Sequence, residues 1–143
     1  MATFTTKRRV EFVHTDMAGV VHFSEYAQYL ESAEHEFLRS HGLSVSMVQD
    51  GRYISWPRVS CGFDFFLPLR FEDELSIELG VERIGEKSVT YVAGFYLEGK
   101  LCAKGTCTAV CSEMLGNDIH PIAIPDRFRS ALTSILIEGG GGS

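Results

Sequence analysis

The sequence predicts an α+β protein in which one antiparallel sheet wraps around one long central helix. Two observations lead to this prediction. A segment of about 17 residues has helical periodicity, and the element order is a strand, this helix and then about four antiparallel strands. We find no repeat and no domain boundary, so residues 1–137 are expected to form a single domain. Residues 138–143, which end in GGGGS, are predicted to be a flexible Gly-rich tail.

The helical segment has clear signals at both ends. Ser24 suits the N-cap position, and Gly42 followed by Leu43 suits the left-handed C′ and apolar C″ positions at the other end. The spacing i, i+3, i+4, i+7, i+11 predicts an apolar stripe made of Tyr26, Tyr29, Leu30, Ala33 and Phe37. The opposite, polar face is expected to carry Glu25, Gln28, Glu31, Ser32, Glu34 and Glu36.

Alternating residues predict the strands. The clearest case is residues 75–82, where Leu75, Ile77, Leu79 and Val81 alternate with polar residues or glycine. The remaining predicted elements are a strand over 4–13, a loop around 50–52, a strand within 56–67, strands over 89–97 and 101–111, turns at 85–87 and 98–100, and a short helix within 125–137.

Composition excludes several classes of function. The formal net charge is −6 and the pI about 5.3, which argues against a broad nucleic-acid-binding surface. No apolar run has the length of a secretion signal or a membrane span. The four cysteines form no CxxC pair, so reduced thiols in a cytoplasmic protein are expected. The Cys and His residues have no zinc-ligand spacing.

The candidate chemistry lies between the first strand and the long helix. Asp16 ends the strand region there, and a short loop with Gly19 follows. The first N–H groups of a helix have no internal acceptors, so such a terminus can stabilise an oxyanion. A partly desolvated carboxylate beside it is a better base or nucleophile, and glycine lets the backbone approach a substrate. The alternative is that Asp16 only caps a turn.

Three motifs stand in order within residues 8–115. They are Asp16-x-x-Gly19-Val20-Val21-His22-x-x-x-Tyr26-x-x-x-x-Glu31-x-Ala33, Phe65-x-x-Pro68-Leu69-Arg70-Phe71-x-Asp73 and Arg83-Ile84-Gly85-x-Lys87-Ser88. Together they resemble the 4-hydroxybenzoyl-CoA thioesterase-like branch of the hotdog superfamily.

This resemblance implies a hotdog fold and the hydrolysis of an acyl-CoA, or an acyl-carrier-protein thioester, to free acid and thiol. It implies that Asp16 is the general base or nucleophile and that the backbone N–H of Phe23 is the oxyanion donor. It also implies a homodimer joined edge to edge, often doubled to a homotetramer, with active sites at the subunit interface. Water is the second substrate, so no metal or redox cofactor is expected.

The resemblance also bears on the acyl group. Several family members carry His or Tyr where this chain has Phe23, so a 4-hydroxybenzoyl substrate is not expected. Fatty or aryl acyl groups are better matched to Phe23 and Tyr26. His22 is expected either to orient the substrate or water, or to pack at the start of the helix, and Glu31 to be structural or to face the substrate.

Cations of the later motifs are candidates for CoA binding. Arg83, Lys87 and Arg70 are the groups expected to meet CoA phosphates, with Ser88 in the same hairpin motif as the first two. The alternative is that they are solvated charges of turns.

Two other functions stay open on the same fold. One is a hotdog dehydratase or hydratase with His14 or His22 as base. The other is a non-catalytic acyl-ligand-binding protein, since a fold does not fix a function.

Overall fold

The computed structural model describes residues 3–137. In this part of the chain a 3-10 turn, Phe12–His14, precedes the first α-helix. The strands and α-helices are, in chain order, β1 (Phe4–Arg9), α1 (Ser24–Ser40), β2 (Met47–Gln49), β3 (Arg52–Ser55), β4 (Arg58–Phe65), β5 (Glu74–Ile84), β6 (Ser88–Leu97), β7 (Lys100–Val110), β8 (Ser112–Leu115), β9 (Asp118–Pro121) and α2 (Asp126–Thr133). The predicted tail, 138–143, lies outside the described residues.

The strands form two sheets. Within each sheet, every pair of neighbouring strands is antiparallel. The larger sheet has the order β1-β5-β6-β7-β4, so β4 is an edge strand. The smaller sheet has the order β2-β3-β8-β9. The predicted antiparallel sheet is therefore confirmed, whereas the second sheet was not predicted.

Helix α1 packs on the larger sheet with the stripe predicted from its sequence. All five residues of that stripe are buried. The ring of Phe37 meets that of Phe4 on β1 at 5.7 Å, and the ring of Tyr26 meets that of Phe95 on β6 at 5.4 Å. Below them Leu75, Ile77, Leu79 and Val81 of β5 are fully buried, as their alternation predicts. Glu34, predicted on the polar face, is buried as well.

The prediction is confirmed at one end of α1 and wrong at the other. At the C-terminal end, Leu43 N–H donates to Leu38 C=O at 2.8 Å and Gly42 N–H to Arg39 C=O at 3.0 Å, with Gly42 at φ +71°. This is the predicted Schellman arrangement. At the N-terminal end the prediction was wrong, because Phe23 holds the N-cap position and Ser24 is the first helical residue.

Other boundaries also differ from the prediction. The first strand ends at Arg9, because the chain turns into the 3-10 helix. The region around Asp50 and Gly51 is the tight turn of a hairpin, with φ of +53° and +77°, joining β2 to β3. Helix α2, in contrast, lies within the predicted range 125–137, and Leu136 after it pairs with Val81. Within residues 3–137 neither α-helix is long and apolar enough to cross a membrane.

Candidate active site

Asp16 begins the loop that leads into α1. Its Oδ1 accepts a hydrogen bond from Ala18 N–H at 2.9 Å and a longer one from Val20 N–H at 3.5 Å. The backbone closes the same turn, since Gly19 N–H donates to Asp16 C=O at 2.9 Å and Gly19 has φ +80°. Within residues 3–137 no donor contacts the second oxygen, Oδ2. One oxygen of Asp16 therefore holds the loop, and the other has no hydrogen-bond donor among the described residues.

His22 caps the start of α1. Its Nδ1 accepts the Ser24 N–H at 3.2 Å and lies 2.8 Å from the Ser24 hydroxyl. Because Nδ1 is an acceptor, a neutral His22 ring carries its proton on Nε2. The ring stacks on that of Phe23, with centroids 4.5 Å apart. Ser24 is therefore the first helical residue and not the predicted N-cap, and the His22 side chain satisfies its N–H.

The backbone N–H of Phe23 is available at the N-terminus of α1. The next three N–H groups are satisfied, those of Ser24 by the His22 ring, Glu25 by His22 C=O at 2.9 Å and Tyr26 by Phe23 C=O at 3.4 Å. Within the described residues the Phe23 N–H has no such acceptor. It points from the positive end of the helix dipole, which favours negative charge. Phe23 itself is 67% exposed.

Two clefts border the loop from Asp16 to Phe23. The first, of about 630 Å³, is lined by Phe12, Thr15, Asp16, Met17, Gly19, His22 and Phe71. The second, of about 260 Å³, is lined by Val20, Val21, Phe23, Tyr26, Phe65, Phe66, Leu67 and Pro68. Many of these apolar side chains are exposed, and a cluster of this kind is typical of a ligand site or a protein interface.

Tyr26 belongs mainly to the core. Its ring is 3% exposed and meets Phe65 and Phe95 edge-on, at 5.0 and 5.4 Å. Burial raises the pKa of its hydroxyl to about 12, with a smaller effect from Cys102. Tyr26 is therefore a neutral wall of the second cleft at physiological pH.

His14 is not among the residues that line the Asp16 cleft. Its Nδ1 accepts the Glu11 N–H at 3.0 Å and lies 3.0 Å from the Tyr29 hydroxyl. It lines a separate cavity of about 390 Å³ that also contains Arg8, Arg9 and Tyr29. Of the two histidines considered as bases, the structure brings only His22 to the cleft that contains Asp16.

The hairpin motif lies far from Asp16 within one chain. Asp73, just before β5, accepts the Val10 N–H at 2.8 Å, which fixes the start of β5 near the Asp16 loop. Strand β5 has 11 residues, and at about 3.3 Å per residue it spans roughly 35 Å. Arg83, Lys87 and Ser88 lie at or beyond its other end. A single chain therefore does not bring these residues to Asp16.

A cluster of charged side chains, of which only Glu34 is fully buried, joins α1 to β4. Arg58 donates two hydrogen bonds to Glu34, one of them at 3.0 Å, and lies 3.8 Å from Glu31. Burial by itself would lower the pKa of Arg58, but the hydrogen bonds and charge of Glu34 raise it overall. Burial and Glu34 also raise the pKa of Tyr91. Sequence reasoning missed this cluster, although Glu34 is four residues after Leu30 and three before Phe37, on the apolar stripe.

The family model of the thioesterase-like superfamily matches residues 10–132. The chain therefore belongs to this superfamily, and the resemblance drawn from the three motifs is confirmed. The prediction of an enzyme that hydrolyses thioesters is confirmed at the level of the family.

Individual relatives agree with this assignment. A 1,4-dihydroxy-2-naphthoyl-CoA hydrolase of Synechocystis sp. is 35% identical over 134 residues, which cover 92% of this chain and 90% of that protein. An acyl-CoA thioesterase of Haemophilus influenzae is 20% identical over 128 residues, 90% of this chain and 93% of the relative. The crystal structure of a Synechocystis 1,4-dihydroxy-2-naphthoyl-CoA thioesterase superposes with a TM-score of 0.83 at 24% identity, covering 94% of this chain and 98% of that one. This last match shows that the fold is of the hotdog thioesterase type.

Proposed function

We propose that this protein hydrolyses an acyl-CoA thioester to a free acid and CoA, with Asp16 as general base or nucleophile. The observation that supports this best is the pairing of two unsatisfied groups on one short loop. Oδ2 of Asp16 has no donor among the described residues, and the Phe23 N–H has no acceptor among them. The first suits attack on a carbonyl carbon, and the second suits the oxyanion that attack creates.

The steps follow from these two groups. As a general base, Asp16 takes a proton from water while the water oxygen attacks the thioester carbonyl. The carbonyl oxygen becomes an oxyanion held by the Phe23 N–H and the helix dipole. Collapse expels the thiolate, which is protonated, and leaves the acid. As a nucleophile, Asp16 first forms a mixed anhydride with release of the thiol, and water then hydrolyses it.

The acyl group that we favour is aryl. The Synechocystis relative, 35% identical over most of the chain, is named for a naphthoyl-CoA substrate. Exposed aromatic side chains border both clefts beside Asp16, and these include Phe12, Phe71 and Phe23. Aromatic faces of this kind suit offset or edge contacts with an aryl ring. An acyl-carrier-protein thioester is the alternative carrier.

We also propose a homodimer, or a homotetramer built from it, in which β4 pairs with its symmetry mate. The outer edge of β4 has no partner strand among the described residues, and Val59 and Phe65 on it are exposed. In an antiparallel pairing about a two-fold axis, the Phe65 end of one β4 lies beside the Arg58 end of the other. The Arg58 end of β4 is the one nearest the hairpin 85–87 of the same chain. The partner's Lys87 would therefore approach the Phe65 end of the first chain, which is the side where Asp16 lies.

The proposal also covers the domain organisation, the role of α1 in the fold and the cellular compartment. Residues 1–137 act as one domain, and α1 is the central helix around which the larger sheet wraps. The enzyme works in the cytoplasm, which suits its four free cysteines.

The test is thiol release from a panel of aryl- and fatty-acyl-CoA compounds. Asp16→Asn keeps an Oδ1 acceptor for the loop but loses the carboxylate, so the fold should persist while kcat falls about 10²–10⁴-fold. Asp118→Asn, on an exposed strand of the smaller sheet, is the matched control and should keep wild-type turnover. An Asp16→Asn enzyme with more than about half of wild-type kcat would refute the role of this carboxylate.

A further inference from the structure

Two cysteines face each other across neighbouring strands of the larger sheet. Cys61 on β4 and Cys107 on β7 are register partners, and their Sγ atoms are 2.8 Å apart. All four cysteines are free thiols. Cys102 instead contacts the Lys100 carbonyl, at 3.5 Å. The structure therefore singles out one pair of thiols already in contact.

The backbone at this pair suits a disulfide. Directly opposed residues of an antiparallel pair have Cα atoms about 4.5 or 5.5 Å apart, depending on the hydrogen-bonding pattern. Both values lie within the range of about 4.4–6.8 Å found for disulfides. The two thiols point to the same face of the sheet, so a bond between them requires side-chain rotation and no movement of the strands.

A small oxidant can reach the pair from one side. Cys61 and Cys107 both line a cavity of about 130 Å³ between α1 and β4, together with Ala27, Gln28, Leu30, Glu31, Arg58 and Phe63. This volume admits molecules the size of water or hydrogen peroxide. Cys61 is exposed, whereas Cys107 is 4% exposed. Cys61 is therefore the thiol that meets an oxidant first, and Cys107 is the thiol placed behind it.

We propose that Cys61 and Cys107 form a reversible intrachain disulfide when the protein meets a peroxide. The Cys61 thiolate attacks one peroxide oxygen, the O–O bond breaks, and Cys61 becomes a sulfenic acid while hydroxide leaves. The Cys107 sulfur then attacks the Cys61 sulfur, the S–O bond breaks, and the proton of Cys107 leaves with the hydroxyl group as water. Two thiols are oxidised by two electrons and one hydrogen peroxide is reduced to two waters. A dithiol reductant reverses the step by exchange at the exposed Cys61 sulfur.

This inference stands apart from the thioesterase chemistry. It uses neither Asp16 nor Phe23, and pairing of β4 with a second chain would use backbone groups, whereas the two thiols face α1. The disulfide would join β4, the edge strand, covalently to β7.

The experiment is thiol counting and peptide mapping on the whole protein, treated with hydrogen peroxide and then quenched. Free thiols, titrated after denaturation, should fall from four to two and return to four with dithiothreitol. Trypsin should give one linked pair, peptide 59–70 with peptide 105–127. The second peptide also contains Cys111, so fragmentation between positions 107 and 111 assigns the bond.

Three variants complete the test. Cys107→Ser should lose the cross-link and leave Cys61 as a trappable sulfenic acid, and Cys61→Ser should keep its three thiols. Cys102→Ser is the matched control and should lose two thiols as the wild type does. A link from Cys61 to Cys111, a link between two copies of Cys61, or equal thiol loss in Cys61→Ser would overturn the proposal. The mapping of the wild-type protein decides the question even if a variant does not fold.

Discussion

Arg58 of the edge strand β4 is bound through two hydrogen bonds to Glu34, a carboxylate of α1 that is 0% exposed. Truncating Arg58→Ala removes the guanidinium partner of the buried Glu34. The free energy of unfolding should then fall by about 3–5 kcal/mol, because an uncompensated buried charge is costly. Urea denaturation followed by circular dichroism measures this loss.

A surface ion pair supplies the control for Arg58. Arg52 lies 3.9 Å from Glu113, and its side chain is 54% exposed. Arg52→Ala should cost less than about 1 kcal/mol. The double replacement Glu34→Leu with Arg58→Met should recover most of the lost stability, since it leaves no buried charge. If Arg58→Ala and Arg52→Ala lower the free energy of unfolding by similar amounts, the burial of Glu34 does not increase the cost of losing its partner.

The Phe23 N–H can be removed without a change in backbone conformation. Phe23 has φ −56°, within the range of proline, and proline is tolerated at the start of a helix. Phe23→Pro should lower kcat about 10²–10³-fold, the usual cost of a lost oxyanion donor. Phe23→Ala removes the same ring but keeps the N–H, so its kcat should remain close to that of the wild type. Steady-state kinetics that show equal kcat values for the two variants would exclude this N–H as the oxyanion donor.

The hairpin cations should affect binding and spare the chemical step. Replacing Arg83 and Lys87 together by Ala should raise KM for an acyl-CoA about 10-fold and leave kcat nearly unchanged, because attraction to phosphate is equal in the ground and transition states. High salt should shrink the effect. Lys100→Ala, at the exposed start of β7, is the control.

A substrate without the nucleotide separates binding from structure in this variant. An acyl-N-acetylcysteamine thioester has no CoA phosphates, so its KM should not respond to the double replacement. If both substrates suffer the same loss, Arg83 and Lys87 support the hairpin and do not recognise CoA.

The edge strand β4 predicts the assembly. Exposed edge strands tend to pair, and a two-fold axis closes the pairing. Light scattering should give a mass of two or four times 15.9 kDa. A monomer that is fully active at micromolar concentration would rule out both the pairing of β4 and an active site shared between subunits.

Local patterns predicted the core elements well. The stripe of α1 and the alternation of β5 depend only on neighbouring residues, and both are buried as predicted. The smaller sheet was missed because its strands have three or four residues, too few to show a period. Its pairing is also non-local, since Ile54 on β3 lies opposite Glu113 on β8. Glu34 was misplaced for a related reason, because its partner Arg58 lies 24 residues further along the chain.

In the candidate site, too, the features set by neighbouring residues were predicted and those set by distant residues were not. The order of Asp16, Gly19 and the helix start predicted a carboxylate beside a helix N-terminus, and these residues are neighbours in the chain. The separation of Asp16 from Lys87 depends on the length and direction of β5, which motif order alone does not contain. Likewise, the contact of Cys61 with Cys107 arises only when β4 and β7 pair.

The turn at Asp16 limits how position 16 can vary in evolution. One oxygen of this side chain holds the Ala18 N–H, and under the proposed mechanism the other performs the reaction. Asparagine would keep the turn and lose the charge, whereas glutamate would keep the charge but carry it one methylene too far to close the same turn. Under this mechanism each single replacement loses either the turn or the reactive carboxylate. We therefore expect that no single substitution at position 16 gives an enzyme of intermediate activity.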